Sequence, residues 1–248
     1  MKTLKMLIAL LMGLVLFSTL SGAVLDNFVI MTEQYPPYNF EQDGQLKGIS
    51  IDLMVEILKR DGSNKSLKDI QLLPWARGYN DVQHNPNTVL FAMTRSAERE
   101  DMFKWVGPIS PTKIVLHAKK SKNIKINTDA DIANYNVGTI REDIGHQLLT
   151  KAGITKIDLS ADMLSNIKKL QIDRIDLWAY EENVALWEMK SQGLNLDEYE
   201  SVYTLLSSDL YFAFHKSTPE VTISQIQKYL DDIKSDGTYQ KILDKYLK

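Results

Sequence analysis

The sequence predicts an α/β protein of two lobes, with the second lobe inserted into the first. Apolar segments typical of buried strands alternate with segments of helical period, the pattern of parallel sheets covered by helices. Two extended apolar runs, 114–121 and 210–217, interrupt this alternation and end in basic residues. We therefore expect lobe 1 at 24–114 and 211–248, lobe 2 at 115–210, and two crossing hinge strands between them.

The N-terminus is typical of a secretory signal peptide. Two lysines precede an apolar run at 6–20, and small residues lead to a cleavage site after Ala23. The alternative is a membrane anchor, which needs about 20 consecutive apolar residues; Thr19 and Gly22 cut this run short. Because no cysteine follows for a lipid anchor, we expect a freely diffusing protein in a Gram-negative periplasm.

Composition excludes several function classes. Removing 1–23 takes away two lysines and no acid, so the net charge of −3 becomes −5, and the basic residues form no stripe that would favour nucleic acid. The chain has no cysteine for disulfides, and its four histidines lie far apart. We expect neither a metal nor a cofactor.

The first lobe opens with a strand, a turn-rich loop and a helix. Strand 28–31 precedes a Tyr-Pro-Pro-Tyr segment. Gly48 then opens a helix with apolar residues at i, i+3, i+4 and i+7, Ser50 as its cap and Gly62 beyond its end. The remaining predicted elements of this part are a strand at 71–73, a helical stretch after Trp75 and a strand at 89–93.

The same alternation continues through the second lobe and returns to the first. The predicted elements of lobe 2 are strands at 136–138, 156–159 and 175–180, with helices after Thr139, through 163–170 and from Glu182. Two further helices, one from Glu220 to the stop at Gly237 and one through 239–246, carry apolar stripes. These last helices are expected to pack on lobe 1.

Candidate binding residues follow the predicted strands. In parallel α/β sheets, ligands bind at the carboxyl ends of the strands. The loops there carry aromatic, cationic and acidic side chains, which suit a small zwitterion: Tyr35, Tyr38, Trp75, Arg77, Thr94, Arg95, Ser96, Arg99, Glu181 and Glu182.

Each of these residues also has an ordinary structural interpretation. Arg95 and Arg99 lie among acids, as in an exposed ion-pair surface. Thr139 with Glu142 fits a helix capping box that needs no ligand. Glu181 could simply open the next helix, and the aromatic residues could serve packing alone.

Three segments together resemble one protein family. They are Tyr35-Pro36-Pro37-Tyr38-Asn39-Phe40 with Gly48 and Asp52, then Thr94 to Arg99 before Phe103 and Pro108, and the C-terminal segment 234–246. In order and spacing they are similar to the extracellular solute-binding proteins, family 3, of polar amino-acid importers. The resemblance covers nearly all of the mature chain. It implies a type II periplasmic-binding-protein-like fold whose two lobes close on a ligand.

The resemblance also implies roles for residues at the carboxylate end of a ligand. Arg99 would grip the α-carboxylate with two parallel donors, and Thr94 would add a hydroxyl group. Ala92 would offer its carbonyl to the ligand ammonium. The loop at Thr139 and Ile140 resembles the family's loop that turns a helix N-terminus toward the same carboxylate.

Other positions depart from the family pattern. Glu181 stands where the family usually has an aspartate that pairs with the ligand ammonium. Tyr35 and Trp75 would sandwich the ligand side chain. Arg77 is a cation that the family usually lacks, and if it faces the pocket it favours acidic or dicarboxylate ligands.

The implied function is capture of an amino acid or related small carboxylate by lobe closure, followed by delivery to the membrane subunits of an ABC importer. We expect a monomer that binds no nucleic acid and is not an enzyme. The alternative is a periplasmic lyase of the cyclohexadienyl dehydratase type with Glu181 as general acid. A role as ligand-presenting partner of a sensor is also left open by the sequence.

Overall fold

The computed structural model describes residues 22–247. Residues 1–21, which hold almost all of the predicted signal peptide, lie outside this range. Within 22–247, no helix is both long enough and apolar enough to cross a bilayer.

The chain begins with the strand, hairpin and helix of lobe 1. Its elements up to the first long strand are β1 (Val29–Thr32), β2 (Phe40–Gln42), β3 (Gln45–Lys47), α1 (Ile49–Asp61), β4 (Ile70–Leu72), α2 (Trp75–His84) and β5 (Thr88–Thr94). Gly48, not Ser50, caps α1. A Cβ atom at Gly48 would lie 2.3 Å from the carbonyl oxygen of Tyr38, and its φ of 128° disfavours other residues. The loop after β1 can therefore pack directly against the start of α1.

Strand β6 (Phe103–Lys119) leads from lobe 1 into lobe 2. Lobe 2 then consists of β7 (Val137–Ile140), α3 (Ile144–Lys151), β8 (Ile157–Ser160), α4 (Met163–Gln171), β9 (Leu177–Glu181) and α5 (Glu182–Ser191). The alternative interpretation of Thr139 with Glu142 as a helix capping box is wrong. Thr139 lies inside β7, and α3 begins at Ile144 with Asp143 as its N-cap.

Strand β10 (Tyr199–His215) returns to lobe 1 and pairs antiparallel with β6 along its full length, from Tyr199 opposite Lys119 to His215 opposite Phe103. Both hinge strands start earlier than the sequence predicts. Prolines at 108 and 111 and polar residues at 200–209 conceal the pattern, whereas the long mutual ladder satisfies the backbone there. Helices α6 (Glu220–Ser235) and α7 (Thr238–Leu247) follow, and both pack against α1 as expected.

One mixed sheet runs through both lobes in the order β4-β1-β5-β10-β6-β9-β7-β8. The pairs of β1 with β4 and β5 are parallel, as are those of β7 with β8 and β9. Apolar residues of β1, α1, β5 and α6 form the lobe 1 core, and a smaller cluster lies around Leu116 and Val137. The two-lobed α/β prediction is confirmed, while the residue bounds given for the lobes stay a prediction.

Candidate functional site

The carboxyl ends of strands from both lobes meet near the middle of the hinge strands. On the lobe 1 side, Thr94 at the end of β5 lies opposite Leu210 of β10. On the lobe 2 side, Glu181 at the end of β9 lies opposite Ile114 of β6, which itself pairs with Leu206. The two strand ends are therefore separated by only a few residues along β10, and their loops face one cleft between the lobes.

Arg99 lies in this cleft and is only 1% exposed. Its Nη1 donates to the Thr94 carbonyl at 3.2 Å, its Nε to Gln147 Oε1 at 3.0 Å and its Nη2 to the Glu142 carbonyl at 3.4 Å. The last two partners belong to lobe 2. Burial lowers the pKa of Arg99, while the neighbouring Tyr79, Asp143 and Glu33 raise it. All three acceptors are neutral oxygens, so a buried positive charge here has dipoles but no directly bonded carboxylate among residues 22–247.

Two rings of α2 hold the guanidinium in place. The Arg99 Cζ atom lies 5.3 Å from the Trp75 ring centroid and 5.0 Å from that of Tyr79. The two rings stack on each other with centroids 5.3 Å apart. A cation over aromatic faces is attracted by their quadrupoles, more strongly when water is excluded. The rings also fix the direction of the forked donors.

Further contacts join the lobes around the cleft. Gln147 Nε2 donates to the Tyr79 hydroxyl at 3.2 Å. On the hairpin side, the Phe40 ring lies 5.2 Å from the Trp187 ring of α5. Lys151 of α3 forms an ion pair with Glu98 of lobe 1. The structure therefore shows the lobes in contact on both flanks of the cleft.

A cavity of about 450 Å³ opens between the lobes beside this cluster. Its walls are largely apolar and aromatic, with Trp75 on the lobe 1 side and Tyr180 on the lobe 2 side. The indole Nε1 of Trp75 and the Tyr180 hydroxyl are buried and have no hydrogen-bond partner in the described part of the chain. Small-molecule sites combine an apolar wall with a few polar groups in this way.

Glu181 is fully buried at the end of β9 and caps helix α5. Its Oε2 accepts a hydrogen bond from the Val184 amide at 2.7 Å, whereas Oε1 has no partner among residues 22–247. Burial raises the pKa of Glu181 to about 7, and backbone hydrogen bonds oppose this rise. Burial raises the pKa values of Tyr35 and Tyr38, and the Glu181 charge raises them further, which places both lobe 1 tyrosines near it.

The sequence as a whole matches the model of the bacterial extracellular solute-binding proteins, family 3, over residues 28–248. The chain belongs to this family. It is 25% identical over 214 residues to the L-cystine-binding protein TcyA of Bacillus subtilis, covering 86% of this chain and 77% of that one.

Solved structures show the same fold. An ancestral arginine-binding protein bound to arginine superposes with a TM-score of 0.75 at 22% identity, over 90% of this chain and all of that one. An ancestral amino acid-binding protein, described as a precursor of cyclohexadienyl dehydratase, gives a TM-score of 0.70 at 21% identity, over 90% of this chain and 96% of the other.

Several residues predicted for the ligand site of this solute-binding protein lie at the cleft. Ala92 has a φ of 60° at the point where the register of β5 against β10 shifts, so no β10 residue pairs with it. Ile140 lines the cavity from lobe 2. Thr139 is buried behind it, and its hydroxyl donates to the Ala179 carbonyl at 3.3 Å. The Thr139 side chain thus serves the lobe 2 sheet.

A ligand side chain held between Trp75 and Tyr35 stays a prediction, and the structure places Tyr35 against two other tyrosines. Its ring packs edge-on against Tyr180, with centroids 5.7 Å apart, and against Tyr38 at 5.8 Å. The ring that faces the cavity opposite Trp75 is Tyr180, which the sequence interpretation took for strand core.

The prediction that Arg77 lines the pocket is wrong. Its side chain is 68% exposed, and its Nε lies 3.8 Å from Asp81 Oδ2 one helical turn later. Because residues two positions apart on a helix point about 200° from each other, burying Trp75 turns Arg77 outward. The argument for an acidic ligand loses its basis.

Sequence reasoning missed two buried acids in the solute-binding cleft. Glu33 follows β1 directly and is 8% exposed, and Asp143 caps α3 and is 9% exposed. Burial raises the pKa of both carboxyl groups, and Asp143 also raises that of Glu33. An acid directly after a predicted strand was the available signal for Glu33, the same signal that selected Glu181.

The described residues contain no group of three or more histidine, cysteine, aspartate or glutamate side chains arranged to hold a metal ion. Two buried acids of the cleft, Glu33 and Asp143, interact with the charge of Arg99.

Proposed function

We propose that this solute-binding protein captures an amino acid or related small carboxylate between its lobes and delivers it to the membrane subunits of an ABC importer. The observation that carries the proposal is Arg99, a buried guanidinium whose hydrogen-bond acceptors among residues 22–247 are neutral oxygens of both lobes. The arginine- and cystine-binding proteins that the chain resembles support an amino acid as the ligand class.

A ligand carboxylate is the natural partner of this guanidinium. Two carboxylate oxygens match two parallel N–H donors, and a charge-assisted pair is stronger than the bond to a neutral amide. The Nε–H group that now donates to Gln147 at 3.0 Å would donate to the ligand instead. Trp75 and Tyr79 keep the guanidinium plane fixed, so little rotamer freedom is lost on binding.

The ligand ammonium is assigned to Glu181 and the Ala92 carbonyl. Glu181 Oε1 is buried without a partner, and Ala92 lies at an unpaired point of β5. An ammonium beside Glu181 would lower the pKa of that carboxyl group from about 7 and hold it ionised. The two ends of a zwitterion would thus bind to elements of different lobes and favour their closure.

Lobe closure around the hinge strands would then present one defined surface to the importer. We assign the protein to the Gram-negative periplasm as a secreted monomer, because the N-terminal sequence fits a cleavable signal peptide. The extracellular family to which the chain belongs supports this assignment.

A lyase is the second candidate because one observation favours it. A carboxyl group with a pKa of about 7, such as Glu181, suits general acid catalysis near neutral pH. Its Oε2 is committed to capping α5, which fits a structural and binding role. Incubation with prephenate or arogenate is expected to give no aromatic product, whereas product that disappears in Glu181→Gln would establish the lyase instead.

The test of capture is direct. Protein purified from its native periplasm is denatured, and the released small molecules are identified by mass spectrometry. The expected result is an amino acid or small carboxylate that rebinds ligand-stripped protein in calorimetry and fails to rebind Arg99→Ala. Rebinding to Arg99→Ala with unchanged affinity would contradict the proposal.

A further inference from the structure

Glu33 is a buried acid that lines the cavity and has no hydrogen-bonded or ion-paired partner among residues 22–247. Its backbone carbonyl accepts a hydrogen bond from Asn39 Nδ2 at 2.7 Å, which fixes the loop after β1. The side chain is 8% exposed and lines the 450 Å³ cavity. Within residues 22–247, its carboxylate takes part in no hydrogen bond or ion pair, unlike Glu181 with its α5 amide.

The charges around Glu33 do not neutralise it. Arg99 is the one guanidinium of the cluster described above, and its charge interacts with two buried carboxyl groups, Glu33 and Asp143. With these three groups ionised, the cluster has a formal excess of one negative charge. A zwitterionic ligand brings no net charge and leaves this excess in place. A ligand with one more cationic group reduces it.

The shape of the cavity fits such a ligand. Leu73 of lobe 1 and Ile140, Met163 and Leu164 of lobe 2 provide apolar wall on both sides of the gap between Trp75 and Tyr180. Methylene groups can pack between such walls while the polar end reaches a carboxylate. The face of an aromatic ring also attracts a cation that passes it.

We propose that the cleft selects ligands whose side chain ends in a positive charge, with Glu33 as the acceptor of that charge. The inference rests on the proposed function, because it adds a second recognition point to a ligand already held at Arg99. It replaces the acidic ligand expected from the sequence, since Arg77 lies outside the pocket.

A matched ligand pair isolates the charge. Arginine and citrulline have nearly the same shape, but the citrulline side chain is neutral. Calorimetry on ligand-stripped protein should show arginine binding about thirtyfold or more tighter than citrulline, as expected when one partner of a buried charge pair is removed. Glu33→Gln should bring the two affinities within about threefold of each other. Glu41→Gln removes an exposed acid of the same lobe and should keep the wild-type preference.

The outcomes separate the two proposals. Citrulline, glutamine or glutamate binding as tightly as arginine to the wild type would overturn the role of Glu33 and leave amino-acid capture intact; this comparison needs no variant to fold. Agmatine, which is arginine without its carboxylate, tests whether the cleft selects a cation without capturing an amino acid. If agmatine binds in a Glu33-dependent way and no amino acid binds, cation selection stands and amino-acid capture fails. If neither agmatine nor any amino acid binds, both proposals fail.

Discussion

The Arg99 guanidinium of lobe 1 donates a hydrogen bond to the Gln147 side-chain oxygen of lobe 2 at 3.0 Å. Gln147 lies on the first turn of α3, next to the Glu142 carbonyl that Arg99 also reaches at 3.4 Å. The Arg99 side chain therefore contacts both lobes, and it is also the proposed receptor of the ligand carboxylate. We therefore expect ligand binding and lobe closure to be coupled at this residue.

Replacing Arg99 should abolish most ligand affinity. Arg99→Ala removes the charge partner of the ligand carboxylate in a desolvated cleft, which costs about 2–5 kcal/mol of binding free energy. Arg99→Lys keeps the charge but loses the forked donors and should give an intermediate loss. Calorimetry measures both.

Arg77→Ala is the matched control for this experiment. It removes an arginine that is 68% exposed on the outer face of α2. Its affinity should equal that of the wild type. A loss as large as that of Arg99→Ala would show that the guanidinium at position 77 reaches the ligand.

The Phe40–Trp187 contact should contribute to closure without touching the ligand. The rings are 5.2 Å apart and join the β2–β3 hairpin to α5. Trp187→Ala should weaken ligand binding by about 0.5–1.5 kcal/mol, the contribution of an aromatic pair. Trp187→Phe retains a ring and should recover most of the loss.

Solution scattering tests the mechanism of that effect. Saturating ligand should reduce the radius of gyration of the wild type, and Trp187→Ala should require more ligand to reach the same value. An unchanged scattering profile in the wild type would argue against closure altogether.

Local sequence pattern was sufficient for most of the elements and for the edge of the sheet that carries the candidate site. Strands β1, β5 and β9 end where the apolar runs end, so Arg99 and Glu181 could be selected as candidates. The direction of a side chain on a short helix depends on which neighbour is buried. Trp75 is drawn inward by Tyr79 and Arg99, and Arg77 must then face outward, a result of tertiary packing.

The sequence also could not predict hydrogen-bond partners that come from the other lobe. Gln147 is an ordinary helical glutamine until the fold places α3 beside Arg99. Asp143, rather than Thr139, caps α3 because β7 extends to Ile140 once it is paired with β8. Strand pairing between distant segments decided both positions.

Glu181 should make the protein less stable as the pH rises. Its pKa is about 7 in the folded state, above the ordinary value of 4.5, so the folded state holds the proton more tightly. Below pH 4.5 Glu181 is mainly protonated in both the folded and the unfolded state, so it causes no pH dependence of the free energy of unfolding there. Between pH 4.5 and 7 the unfolded state ionises first, and the free energy of unfolding falls by up to about 3 kcal/mol.

Urea denaturation at pH 4.5 and pH 8 measures this change. Glu181→Gln should match the wild type at pH 4.5 and exceed it at pH 8. Glu200→Gln, which replaces an exposed glutamate of β10, should follow the wild type at both values. An equal change in the free energy of unfolding between pH 4.5 and pH 8 in the wild type and in Glu181→Gln would show that burial of this carboxyl group has no such cost.

Binding of a cationic side chain should release a proton from Glu33. In the free cleft, burial and the Asp143 charge raise the pKa of Glu33 well above its ordinary value, and Arg99 opposes them. Among residues 22–247, Tyr35 and Tyr180 also interact with Glu33. A bound cation favours the carboxylate and lowers that pKa. Over the range between the two pKa values, arginine affinity should therefore increase with pH.

Calorimetry in two buffers with different ionisation enthalpies counts the released protons. Citrulline should release protons only through Glu181, whose pKa of about 7 falls beside the ligand ammonium. Arginine should release more, because Glu33 then also loses its proton. In Glu33→Gln the two ligands should release equal numbers. Equal release from the wild type, or a difference that persists in Glu33→Gln, would place the cationic end of the ligand elsewhere in the cleft.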